Sequence, residues 1–240
     1  MKNTLQMLFY KLKNMRSFYV LLILSAVLMN VYLGFTGFIF NGIDGGTTES
    51  IPETFGTIWI YMILFTHEFV GKEFSGHTMK NILATGVPRK SIYFSYLLLT
   101  EGIMVLYYVT QTVTGILVGK IFPREPYSIS PMRMARESLS SLAVLTIIVV
   151  FMVSYHFITQ RDGTSFGFGL LIAEGILLPV FSQMSTIVNF LRFTFYSNVW
   201  MGLEPSRFSG LASFFVLVAL VLLGAGAGFY FFLNDDIDGA

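Results

Sequence analysis

Long apolar runs alternate with short polar connections along the whole chain. A helix that crosses the hydrocarbon of a bilayer needs about 20 predominantly apolar residues. That length predicts six spans: Phe18–Phe40, about Phe55–Phe69, Ile92–Val118, Leu139–Thr159, Ser165–Phe181 and Leu211–Leu233. The second is short and runs into a polar stretch. Residues 1–16 are amphipathic at helical spacing. Leu5, Leu8, Phe9, Leu12 and Met15 share one face, and Lys2, Asn3, Lys11, Lys13 and Asn14 fall largely elsewhere. This pattern predicts a helix in the membrane interface, its lysines near anionic headgroups. The predicted fold class is all-α: one transmembrane domain over residues 1–240, a bundle of six transmembrane helices with an N-terminal interfacial helix.

Two stretches break the apolar pattern. His67–Tyr96 carries Glu68, Lys72, Glu73, Lys80, Arg89 and Lys90, with Gly71, Gly76, Gly86 and Pro88 as turn punctuation. So many charges exclude a lipid-facing position, and residues 67–91 read as a water-facing insert of loop and short helix. The second stretch is 183–210. There Ile187, Phe190, Leu191, Phe193, Phe195, Tyr196 and Trp200 surround Asn189, Arg192 and Asn198. Trp and Tyr favour the headgroup level, and irregular backbone at depth must be buried by protein or face a cavity. The expectation is a re-entrant hairpin from the outer face, capped by the turn at Glu204–Arg207; a plain aromatic outer loop fits the same residues. In the last span, Gly224 and Gly228 make a small-xxx-small pattern. It signals close helix packing, within the chain or across a dimer.

Composition supports the membrane reading. The chain is 54% hydrophobic and 12% charged, with 25 Phe, 12 Tyr and a mean hydropathy of +0.69, against roughly a quarter charged in soluble proteins. A net charge of +1 with no basic, aromatic-interleaved surface gives nucleic acid nothing to bind. The absence of cysteine excludes disulfides and thiol chemistry. The first apolar run exceeds a signal-peptide core and lacks an A-x-A site, so it reads as a retained span. Lys2, Lys11, Lys13 and Arg16 precede it, Asp44, Glu49 and Glu53 follow it, and Lys72, Lys80, Arg89 and Lys90 sit in the insert. The positive-inside trend therefore places both termini and the insert in the cytoplasm. Lys120, Arg124, Arg133 and Arg136 run against that trend in a basic outer connection, Lys120–Arg136.

Motifs for chemistry are missing. There is no G-x-x-x-x-G-K-[ST] to cradle nucleotide phosphates and no G-x-S-x-G elbow. His67-Glu68 opens like H-E-x-x-H, but Gly71 stands where the second ligand belongs, and His67, His77 and His156 are scattered in the sequence. No metal or other cofactor is expected in this chain, and no catalysis. Glu101 and Glu174 fall inside predicted spans, where a charge is costly and usually faces the bundle interior or a wet cavity. Both are candidates for a translocation path or proton site, and Glu101 could instead snorkel to the inner headgroups. Such a carboxylate pair leaves open a stand-alone, ion-coupled secondary transporter.

The second span, the insert EFSGHTMKNILATGVPRKSIYFSYLL and the third span together resemble the permease subunit of type-2 ABC transporters. Glu73, Gly76 and Thr78 match the family's E-x-x-x-G-T-like opening, here E-F-S-G-H-T with a shortened spacing. The Lys80–Thr85 helix, the Gly86–Pro88 turn and Arg89–Ile92 match its run into the next span. The six-span order, the interfacial helix and the outer hairpin are similar in layout. The resemblance implies a bacterial plasma-membrane exporter of a peptide, drug or lipid-like substrate, working beside a second permease chain, identical or homologous. It also implies two copies of a separate ATPase, which bind the ATP and Mg. In that family the insert is a coupling helix docked on the ATPase. By resemblance Lys80, Asn81, Arg89 and Lys90 would supply polar contacts, and Met79, Ile82 and Leu83 would anchor. The short Gln160–Thr164 connection would be a second, smaller contact.

Overall fold

The computed structural model describes residues 2–28, 58–76, 78–121, 131–160 and 210–234, and all regular structure among them is helical. The expected first outer loop, the fifth span Ser165–Phe181, the hairpin 183–210, Gln160–Thr164 beyond Gln160, His77, Glu174 and the acidic C-terminus lie outside the described residues. Helix α1 covers Lys2–Asn14 and α2 covers Arg16–Ile23, with an extended Met15 between them and a π-helical turn at Leu24–Leu28 after them. Helix α3, Ile58–Thr66, passes through a second π-helical turn at His67–Gly71 into α4, Lys72–Ser75. Helices α5, Thr78–Ala84, α6, Arg89–Ile121, α7, Pro131–Thr159, and α8, Gly210–Asn234, complete the described fold.

Helix α7 is central, packing on α8, α6 and α3, and α1 lies against α6. Among the described residues Arg89–Thr114 is long and apolar enough to cross a membrane. Arg16–Val27, Leu145–Thr159 and Val218–Asn234 are shorter apolar helices. The sixth predicted span agrees with α8 to within a residue at each end, because its apolar run is unbroken. The basic outer connection is shorter than expected: Lys120 lies on α6 and Arg133 and Arg136 lie on α7.

Two features set how the helices meet. Aromatic rings form a continuous internal row: Tyr107, Phe65, Phe69, Tyr96, Phe157 and Phe232, with successive centroids 6.4, 5.2, 5.5, 5.8 and 4.7 Å apart. All six are fully buried. Such edge and offset contacts add about 0.5–1.5 kcal/mol per pair beyond area burial. Polar side chains then fix register. The Tyr93 hydroxyl bonds Ser154 Oγ at 3.0 Å and donates to the Ala225 carbonyl at 2.9 Å, joining α6, α7 and α8 at one point. Eight residues further along α6, and eight back along α7, Thr146 lies beside Glu101. These are two rungs of one antiparallel pairing.

Glycine permits this approach. A Cβ on Gly228 would stand 2.6 Å from Ser154 Cβ and 2.7 Å from the Tyr93 hydroxyl, whereas one on Gly226 meets nothing within 4 Å. The small-xxx-small pattern therefore serves packing of α8 on α7 within the chain. Gly228→Ala should destabilise by about 1–3 kcal/mol, the range for overpacking, and Gly226→Ala by under about 0.5 kcal/mol. Thermal unfolding in detergent checks this, and equal midpoints for the two variants would contradict the packing.

Candidate functional site

The insert begins as a continuation of α3, since the helix runs through His67–Gly71 to Ser75 and stops at Gly76. The π-helical turn is a local change of hydrogen-bond register inside a continuous helix, a feature frequent at functional sites. It brings Glu68, Phe69 and Glu73 toward α1. After Gly76, α5 runs to Ala84 and closes with Thr85 N–H on the Ile82 carbonyl and Gly86 N–H on the Leu83 carbonyl. Gly86 has φ +79, the left-handed conformation that ends helices and that glycine adopts without strain. Pro88 follows and its carbonyl accepts from Ser91 and Ile92, starting α6.

Lys11 is the centre of the site. Its Nζ donates to the Phe69 carbonyl at 2.7 Å and forms an ion pair with the Glu73 carboxylate. The same ammonium lies 4.6 Å from the Phe69 ring centroid and 6.0 Å from that of Tyr96. Glu73 is buried, its side chain 7% exposed. The interfacial expectation for Lys11 is thus corrected: this lysine faces inward, because Thr4, Leu8, Lys11, Leu12 and Met15 share the stripe that packs on the bundle. Phe9, Met7 and Tyr10 are exposed. A second tie links the start of α1 to the far side of the insert, Thr4 Oγ1 to Ser91 Oγ at 3.0 Å. The Lys72–Glu68 pair at 2.7 Å is more exposed and contributes little.

Burial pushes the Lys11 ammonium below its ordinary value of 10.5. The Glu73 hydrogen bond opposes this, then the charges of Glu73 and Glu68. With the folded value depressed, the unfolded chain holds this proton more tightly. The group's own contribution to stability therefore rises with pH through the window below 10.5. At neutral pH desolvation offsets much of the attraction, so the pair fixes geometry more than it adds stability.

The coupling residues predicted from sequence divide into two sets. Met79 and Ile82 are buried, and with Phe74, whose ring lies 5.3 Å from that of Phe157, they root the insert in the bundle. Glu73 belongs to the Lys11 pair. Arg89 donates to the carbonyls of Phe232 at 2.9 Å and Leu233 at 3.3 Å, covering the C-terminal end of α8, where a cation suits the helix dipole. The outward set is Thr78, Asn81 and Lys90, all exposed as is the neighbouring Thr85, with Lys80 and Leu83 half-buried beside them. Gly76 is exposed at the turn. Glu101 sits half-buried on α6 at the Thr146 rung. Sequence separation hid one further juxtaposition: the rings of His67 and His156 lie 6.3 Å apart. Among the described residues no group of three or more metal-ligating side chains gathers around them.

A family model described as "ABC-2 family transporter protein" matches residues 4–178, well over half of the 240-residue chain. No curated protein matches it. The matched segment contains α1 from Thr4 onward, the insert, α6 and α7.

Lys11→Met leaves Glu73 buried without its cation and should cost about 3–5 kcal/mol, the range for breaking a buried pair. Adding Glu73→Leu should recover most of that loss. Thermal unfolding of the two variants in detergent checks the order, and a double variant no more stable than Lys11→Met would contradict it.

Proposed function

The chain belongs to the ABC-2 family of transporter proteins and is a non-catalytic membrane permease component that works with an ATPase subunit; from that premise we propose that α5 is the helix on which the ATPase docks. One observation carries the proposal. Helix α5 is rooted by Met79 and Ile82 on one side and presents Thr78, Asn81 and Thr85 to solvent on the other, with Lys80 at the edge. A short helix held this way between two turns can take a load without unfolding. Docking polar and ionic groups at its outer face transmits a push into α4 and α6, which are continuous with spans. Glu73, Met79, Ile82 and Arg89 act from inside, setting where α5 stands, and Leu83 lies between the two sets.

In this reading the permease has six spans, cytoplasmic termini and a second permease chain beside it in a bacterial plasma membrane. The work is export of a peptide, drug or lipid-like substrate, and ATP and Mg reside on the two ATPase copies. The short connections between apolar runs support that branch of the family over one with large outer domains. Nucleotide must bind the two arrangements of the complex with different affinity for hydrolysis to drive the change. Glu101 and Glu174 are proposed to line the path between the spans. Glu101 lies where α6 meets α7, beside Thr146, so a change of its partners would be felt by both helices.

Lys80→Glu combined with Asn81→Asp should weaken binding of the ATPase at least about tenfold, or 1.4 kcal/mol. The permease's own thermal unfolding should move by under about 0.5 kcal/mol. Co-purification and titration of the complex measure both, and undiminished affinity would exclude docking through α5. Uptake into vesicles that persists on an ion gradient without the ATPase would instead favour the carrier built on Glu101.

A further inference from the structure

Helix α1 touches the insert at both of its ends. Lys11 reaches the entry side, at Phe69 and Glu73, and Thr4 reaches the exit side, at Ser91. Between those contacts lies α5, so the helix proposed to receive the ATPase stands on two stalks that α1 straps together. The Lys11 contacts are placed to govern bending. Phe69 lies within the π-helical turn and Glu73 is the second residue after it. One ammonium therefore fastens the register change where α3 gives way to the insert to the helix that follows it. Its seat is made rigid by the Phe69 and Tyr96 rings, both fully buried. On the other side α1 runs through Met15 directly into α2, whose Phe18 carbonyl accepts the Tyr107 hydroxyl at 3.3 Å.

We propose that Lys11 and Glu73 are positioning residues that make α1 move as one body with the insert, so that a push on α5 reaches the first apolar helix as well as α3 and α6. This rests on the docking reading of α5 and adds a load path to it. A pair whose purpose was stability alone would be replaceable by apolar side chains of similar volume, since such replacements are often neutral or stabilising. A pair that carries load is not replaceable in that way. The apolar pair packs, but it lacks the carbonyl-directed bond to Phe69 that ties it to the π-helical turn.

The absence of native cysteine allows the motion to be read directly. Lys13→Cys on α1 and Asn234→Cys at the end of α8, both exposed positions, take spin labels in the full chain bound to its ATPase and reconstituted in lipid. Trapping with ATP and vanadate should shift the distance between the labels. In the Lys11→Met/Glu73→Leu background the ATPase should still co-purify, and the shift should be lost. Lys11→Arg, which keeps a charged donor, should restore at least half of it. An ATPase-bound double variant with a wild-type shift overturns the load path while leaving docking intact. So does a wild-type complex with no shift. A wild-type chain that holds no ATPase removes the docking reading, and the load path with it.

Discussion

An ammonium group drawn partly out of water needs partners in exchange, and Lys11 finds a carbonyl, a carboxylate and two aromatic faces. They come from three residues at the junction between α3, α4 and α6, namely Phe69, Glu73 and Tyr96. The arrangement contributes modest net stability, since burial works against the charged form. Its geometric consequence is larger. Few orientations of α1 satisfy all four groups, so the direction of α1, the bend at the π-helical turn and the placement of Glu73 are fixed together. The insert then leaves the bundle at one defined angle.

Helices α6, α7 and α8 are held together by other means. Tyr93, Ser154 and the Ala225 carbonyl form a junction that requires a glycine at 228. The Glu101–Thr146 rung repeats the pairing along the same two helices. Arg89 closes the end of α8 at the point where α6 begins. Helices α6, α7 and α8 thus share side-chain hydrogen bonds and close backbone contact, which resist sliding. Helices α1, α2 and α3 contain the extended Met15 and the two π-helical turns, where helix geometry changes. A permease that changes shape under load needs both a fixed part and a yielding part, and the insert joins them.

Much of this was legible in the sequence, and what was not has a common physical cause. The helices α6, α7 and α8 and the helical residues of α1 follow from unbroken apolar runs and 3.6-residue spacing, which are local properties. Gly86 and Pro88 announced the end of α5 and the start of α6 for the same reason. The roles of Glu73, Met79 and Arg89 were not local. Each is a residue in a polar stretch whose exposure is decided by a partner far along the chain: Lys11 for Glu73, the bundle core for Met79, and the end of α8 for Arg89. Polar surroundings read as exposure until that partner is known. The His67–His156 juxtaposition had no sequence signal at all, because two histidines on separate helices share no spacing.

Membership of the ABC-2 family gives the chain a partner that hydrolyses ATP, and the central claim is that this partner bears on a helix rooted from within. Hydrogen exchange of the permease, alone and bound to its ATPase, tests that claim most directly. The account predicts added protection concentrated in α5, Thr78–Ala84, with a smaller gain at α1 around Leu8–Leu12 through the Lys11 tie. Protection that leaves α5 unchanged and appears elsewhere would contradict it.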